Sequence, residues 1–522
     1  MKAKLVAIVA AALLVGGGAF ALTRFLAPAE DDALAFVPSD AYFYANFFIN
    51  PSNSQKGALD DFIQKFPGIE STEDVIEKLT EAIDESLEEQ GLSYEEDVKP
   101  WLGDQFAVFG IPGGSAEMPN GALLVESTDD EAAERFVKES EEETGDLETK
   151  TYRDFEYEVD PDDGTGLAFL EGFMVIGTED AIKKSIDTLA GEDTLETSES
   201  FTDATEPLRD DWIGLFYVDT GALLEEFQLD AQMTPEDQAA FEAFAGADQG
   251  PQAGVLYVTS DAAVFEASGS FGGGALGALG KTAAGPGLVP ELPGDSWLAV
   301  GIPALGDTIG TLLDGFAGLP GFDAVQLESL FYAQTGLRLE KDLLSWMGNA
   351  GFFVQGANIQ EIGGGLLVES TDPAKTTALV EKLEDLLVQQ GVRPDPFSLE
   401  GLEGFSIQIP GAPAPIYVLG GDRLAITYGD GATDALTQGD TLEGSEAFAA
   451  AQEDVGDDFN ISFFLDADAA QAFGEAFATF AGGVDETYND EVKPILDVFT
   501  HVVAATKQTG DSVVTKLVVG VE

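Results

Sequence analysis

The side chains able to do chemistry in this 522-residue chain are nearly all carboxylates: 96 Asp and Glu, against one His and no Cys. Two carboxylates facing each other across a cleft can cleave glycosidic bonds, but with so many acids no pair stands out by spacing. Two glutamates do stand out by context. Glu126 and Glu369 occupy the same place in two copies of Leu-Leu-Val-Glu-Ser-Thr-Asp, residues 123–129 and 366–372. Each copy reads as a strand running into a helix, with the glutamate at a strand-edge position and Thr128 or Thr371 starting the helix. Asp219 and Asp466 end matching apolar runs and read as caps of the helices that follow.

The other chemical candidates weaken on inspection. His501 is the single histidine and reads as a partly exposed strand residue rather than a base. With no second His and no Cys, a His/Cys zinc site is excluded. In Asp160-Pro161-Asp162-Asp163-Gly164 the calcium-loop register fails, because Val159 and Leu170 would fall at the first and twelfth ligand positions. A tight acidic turn between strands fits it better. Gly272–Gly274 and Gly363–Gly365 lack the lysine and the strand–helix setting of a phosphate loop, and no G-x-S-x-G elbow occurs. No catalytic, cofactor-binding or metal residue is therefore assigned, and the expected ion chemistry is weak surface binding of divalent cations.

The elements that must position these residues come in two sets. Pro38-x-Asp40 answers Pro293-x-Asp295, Asp97-x-x-x-Trp101-x-Gly103 answers Asp342-x-x-x-Trp346-x-Gly348, and Thr194-Leu195-Glu196 answers Thr441-Leu442-Glu443. Asp211–Asp219 answers Asp458–Asp466, and Thr259-x-Asp261 answers Thr509-x-Asp511. One ancestral unit used twice explains the constant order. The units span 37–271 and 290–521, with a Gly-rich stretch over 272–289 reading as a linker.

Within the first unit, strand-like runs cover 41–49, 105–111, 121–126, 149–159, 166–170, 173–177 and 212–218. Helices are expected from Ser71, from Thr128 to about Glu143, over 179–189 and over 221–244, with a closing hairpin after them. Strands following each other in pairs, with helices inserted singly, predict an α+β fold: two tandem homologous lobes, each a mainly antiparallel sheet with helices packed on it. Trp101 and Trp346 recur with their glycines, which suits a core role better than a ligand platform.

The formal net charge is −72, from 96 acidic and 24 basic residues. Such a field repels nucleic acid and anionic headgroups, so neither is an expected partner. Without cysteine there are no disulfides or thiolates. At the N-terminus, Lys2 and Lys4 precede an uncharged run from Leu5 to Thr23, then Arg24 and the acids from Glu30 onward. That run is just long enough to cross a bilayer as a helix, with the N-terminus inside and the body extracytoplasmic. Residues 1–28 are accordingly expected to form a transmembrane signal anchor. The rival expectation is a cleaved signal peptide, released near Ala21 after the Ala19-Phe20-Ala21 pattern.

Together the anchor, Pro38-Ser39-Asp40, Lys65-Phe66-Pro67-Gly68, Trp101-Leu102-Gly103 and the duplicated body resemble the bacterial, largely actinobacterial, domain of unknown function numbered 3352. The resemblance covers nearly everything after the anchor. It agrees with a membrane-attached extracytoplasmic protein and carries no activity or site residues.

The expected function is thus a non-enzymatic binding or scaffolding module of the cell envelope, with an envelope protein, glycan or lipid as ligand. The alternatives are a carboxylate-dependent hydrolase of envelope glycans, or a carrier of an apolar ligand built around some of the 36 Phe.

Overall fold

The computed structural model describes residues 30–69, 84, 87, 92–114, 119–140, 147–226, 250–269, 285, 287–316, 324–437, 439–481, 488–510 and 512–522. The expected anchor over 1–28, most of the helix from Ser71, the later part of the helix over 221–244 and most of the Gly-rich stretch lie outside them. Among the described residues, no helix is long and apolar enough to cross a membrane. The fold is α+β, a mixture of helices and antiparallel sheet. Its backbone contacts divide into two compact units, separated after Gly269.

Among the described residues the first unit contains ten strands: β1 (Phe43–Phe48), β2 (Leu102–Gly110), β3 (Gly121–Ser127), β4 (Glu148–Tyr152), β5 (Phe155–Val159), β6 (Thr165–Leu170), β7 (Phe173–Thr178), β8 (Gly214–Asp219), β9 (Pro251–Val258) and β10 (Ala262–Gly269). They pair antiparallel in the order β4-β5-β6-β7-β3-β2-β1-β8-β9-β10. The second unit contains β11 (Ser296–Ile302), β12 (Met347–Gln355), β13 (Gly363–Ser370), β14 (Asp395–Leu399), β15 (Leu402–Ile407), β16 (Ile416–Gly420), β17 (Arg423–Tyr428), β18 (Asn460–Asp466), β19 (Phe499–Thr509) and β20 (Ser512–Val521). Their order, β14-β15-β16-β17-β13-β12-β11-β18-β19-β20, matches that of the first unit strand for strand.

Each repeated motif has the same structural task in both units. Pro38 bridges Thr194 and Pro293 bridges Thr441, so the entry of each unit is sewn to the Thr-Leu-Glu turn, whose Leu195 and Leu442 are buried. The helices Asp130–Ser140 and Pro373–Gln389 pack onto their sheets. Ala133, Phe136 and Val137 meet Trp101, Val125 and Met174 in one core, while Leu379 and Val380 meet Trp346, Val368 and Phe405 in the other. Burial of these apolar faces, rather than helix propensity, is what holds such helices in place.

One sequence-based strand is in fact two. Residues 149–159 form the hairpin β4–β5, closed by Arg153 and Asp154, both at positive φ (45° and 71°). That is the twist-matched two-residue turn, but Arg-Asp is not its usual sequence. Arg153 instead gains support from Asp187 and Glu192, which pair with its guanidinium at 2.8 Å each.

Candidate functional site

Glu126 and Glu369 do not sit at strand edges. β3 runs between β2 and β7, and β13 between β12 and β17, so both glutamates lie inside their sheets. Each faces a bulge in the neighbouring strand. Three residues, Gly103, Asp104 and Gln105, bulge opposite Glu126, while two, Gly348 and Asn349, bulge opposite Glu369. A bulge leaves main-chain N–H groups unpaired, and the carboxylates take them up. Glu126 Oε2 accepts from Asp104 N at 2.7 Å and Gln105 N at 3.1 Å, and Glu369 Oε2 accepts from Asn349 N at 3.3 Å. Burial pushes the Glu126 carboxyl up, and the two N–H donors partly offset it.

The threonines of the repeat do not cap helices either. Thr128 donates from N and Oγ1 to the Trp101 carbonyl at 2.7 and 3.2 Å, and Thr371 does the same to Trp346 at 2.9 and 3.1 Å. The caps are the aspartates one residue on: Asp129 accepts from Ala132 N and Asp372 from Lys375 N. In turn, Trp101 Nε1 donates to the Asp97 carbonyl at 2.7 Å and Trp346 Nε1 to that of Asp342 at 2.9 Å. Both tryptophans are buried. The Asp-x-x-x-Trp-x-Gly motif and the seven-residue repeat are therefore two halves of one latch, present once in each unit.

Asp219 and Asp466 cap their helices as the sequence implies, accepting from Ala222 N and Ala469 N, each at 3.0 Å. The acidic stretch 160–164 is a tight turn in which Asp160 Oδ1 accepts from Asp162 N at 2.8 Å. Among the described residues no group of three or more His, Cys, Asp or Glu could hold a metal ion. His501 is buried, not partly exposed: its ring packs over Gly520, the residue opposite it on β20. Asp454 Oδ2 lies 3.1 Å from its Nε2, and Thr500 Oγ1 lies 3.1 Å from its Nδ1. A carboxylate and a hydroxyl thus flank the imidazole. With the ring 3% exposed, substrate has no access to its nitrogens, so the arrangement is structural.

Since the framework is common, differences between the units are the informative features. In the first unit Phe173, opposite Glu126 across β3–β7, packs on Phe36 with ring centroids 4.7 Å apart, and both rings are buried. In the second unit the residue opposite Glu369 is Arg423, and the residue preceding the matching entry turn's Leu292 is Glu291. No aromatic plug remains. A recess of about 330 Å³ opens there instead, with Glu291, Glu369, Asp422 and Arg423 around it and Leu288, Leu292 and Leu367 as its apolar wall. This size is at the lower end of small-ligand sites. A larger groove of about 600 Å³ in the first unit is walled by exposed Glu134, Asp154 and Glu156 against Lys138.

The second difference is a buried polar cluster in the first unit. Tyr44 Oη donates to Asp31 Oδ1 at 2.7 Å, and Asn46 Nδ2 donates to Gln105 Oε1 at 3.2 Å. Burial pushes the Asp31 carboxyl up to about 6, although Tyr44, Asn46 and the Leu34 amide work in the opposite direction. On β11 the positions answering Tyr44 and Asn46 are Ala299 and Gly301, and Gln105 is the additional residue of the larger bulge. Sequence reasoning missed both differences. The signal was there in the aligned repeats, as Phe36 and Phe173 against Glu291 and Arg423.

Fold and site define an α+β protein with a duplicated structural latch and an open, charged recess in its second unit. The chain belongs to the family described as Protein of unknown function (DUF3352), whose model matches residues 5–514. No curated protein matches it. Two solved crystal structures titled TP0453, forms III and I, are similar at 12% identity and a TM-score of 0.24; the match covers 48% and 47% of this chain and 82% and 81% of theirs.

Proposed function

We propose that this chain is a non-enzymatic binding module of the cell envelope, held to the membrane by residues 1–28 with its body extracytoplasmic. In this reading the body consists of two homologous tandem lobes, 37–271 and 290–521, joined by the Gly-rich stretch 272–289. The first lobe is the closed version of the design and the second the ligand-accepting one. The observation that carries the reading is the exchange of the buried Phe36–Phe173 pair for Glu291 and Arg423 beside an open recess. The repeated carboxylates Glu126 and Glu369 serve main-chain amides, which favours binding over acid/base catalysis.

The test has two parts. Fractionation and protease shaving of intact cells should place the body outside the membrane. Native mass spectrometry of the full chain, purified in mild detergent, should show a small molecule retained by the wild type and lost from Glu291→Phe/Arg423→Phe, which restores the aromatic plug. An intracellular body, or equal retention by the plugged variant, would sink the reading.

A further inference from the structure

We infer that the recess beside Glu369 binds a small zwitterion bearing both an ammonium and a carboxylate group, such as a short peptide or amino acid; this rests on the binding reading above. Glu369 and Arg423 are direct cross-strand partners on β13 and β17. Opposite charges at such positions ordinarily pair, yet no ion pair within 4.0 Å joins them. Glu369 turns toward the bulge, where only its Oε2 is engaged, by Asn349 N at 3.3 Å. Among the described residues Arg423 makes one ion pair, from Nε to exposed Asp422 at 3.8 Å, beyond hydrogen-bond reach. The recess is therefore lined by a carboxylate and a guanidinium that oppose each other in strand register yet lie beyond ion-pair distance.

A ligand carrying both charges bridges that separation. Its carboxylate meets the guanidinium fork, the geometry arginine recognises best. Its ammonium meets Glu369 Oε1, with Glu291 adding charge of the same sign. With three carboxylates against one guanidinium at the recess, a purely anionic ligand is disfavoured. Leu288, Leu292 and Leu367 offer an apolar wall to a short side chain. At roughly 30 Å³ per water, the volume corresponds to about ten waters, which suits a dipeptide-sized molecule.

Calorimetric titration of the full chain with L-alanyl-L-alanine, its N-acetyl form, its C-terminal amide and calcium chloride tests this. The free dipeptide should bind, and each capped form should bind about tenfold more weakly or worse. Arg423→Gln should bind the dipeptide and its amide equally weakly, whereas Glu291→Phe/Arg423→Phe should bind neither while keeping its melting temperature. The inference is overturned if the capped forms bind as well as the free dipeptide, or if the wild type binds no dipeptide. If the wild type retains some other small molecule that the plugged variant loses, only the ligand class fails. If the plugged variant retains whatever the wild type binds, the recess itself is not the site and the reading above fails with it.

Discussion

A Cβ placed on Gly103 would lie 2.6 Å from the Cβ of Glu126, so the glycine of the tryptophan turn exists to admit the glutamate of the seven-residue repeat. In the second unit the relationship is looser, 3.2 Å from Gly348 to Glu369. Gly103→Ala should cost about 1–3 kcal/mol through overpacking, and Gly348→Ala less. Chemical denaturation of the two variants checks the order, and equal costs would contradict the steric account.

Removing the carboxylates should show the same asymmetry. Glu126→Ala strands two bulge amides and Glu369→Ala one, at about 1–3 kcal/mol for each buried N–H left unpaired. The first substitution should therefore be the more destabilising. Hydrogen exchange at Asp104 and Gln105 should accelerate in Glu126→Ala, and unchanged protection there would rule out the capping role.

Asp31 should make stability fall as pH rises. Its folded carboxyl titrates near 6, above its value of 3.8 in the unfolded chain, so between these pH values the folded state binds more protons. The neutral acid is accommodated at low pH, and its ionisation costs about 3 kcal/mol once the pH exceeds about 6. Asp31→Asn keeps the acceptor for Tyr44 and should raise stability by about 1–2 kcal/mol at pH 7, with no gain at pH 3.5. A gain independent of pH would refute the assignment.

Glu179 should act in the opposite sense. Lys183, Tyr157 and Lys150 donate to it and hold its carboxyl down to about 2. Its contribution is complete above pH 4.5 and lost as pH falls toward 2. Because the side chain is 26% exposed, solvent screens the ion pairs and Glu179→Gln should cost about 1 kcal/mol at pH 7. The difference from wild type should vanish near pH 2 in thermal melts.

At Gly520 a Cβ would lie 2.3 Å from Cε1 of His501. Gly520→Ala should destabilise by about 1–3 kcal/mol. His501→Ala in the same chain should recover part of that loss, giving a measurable coupling energy in a double-mutant cycle. Additive effects would show that the ring is not what the glycine accommodates.

How much of this was legible depended on the range of the interaction. The helix over 179–189, the cap at Asp219 and the acidic turn at 160–164 follow from neighbours within a few residues, and the sequence carries them. The hairpin turn at Arg153-Asp154 was not legible, because residues more than thirty positions away supply the ion pairs at Arg153. Burial of His501 was hidden for the same kind of reason: it depends on a glycine on the facing strand.

By itself the sequence determined the α+β class and the order of the matching motifs, because apolar periodicity and turn residues act locally. It also determined that Leu-Leu-Val-Glu-Ser-Thr-Asp mattered, without saying how. Only the tertiary structure decided that Glu126 and Glu369 cap bulges, since a bulge is a mismatch between two strands and belongs to neither alone. The recess was likewise decided in three dimensions. Phe36 and Phe173 are far apart in the chain, as are Glu291 and Arg423, and whether each pair fills or opens a space depends on the strand and turn that bring it together.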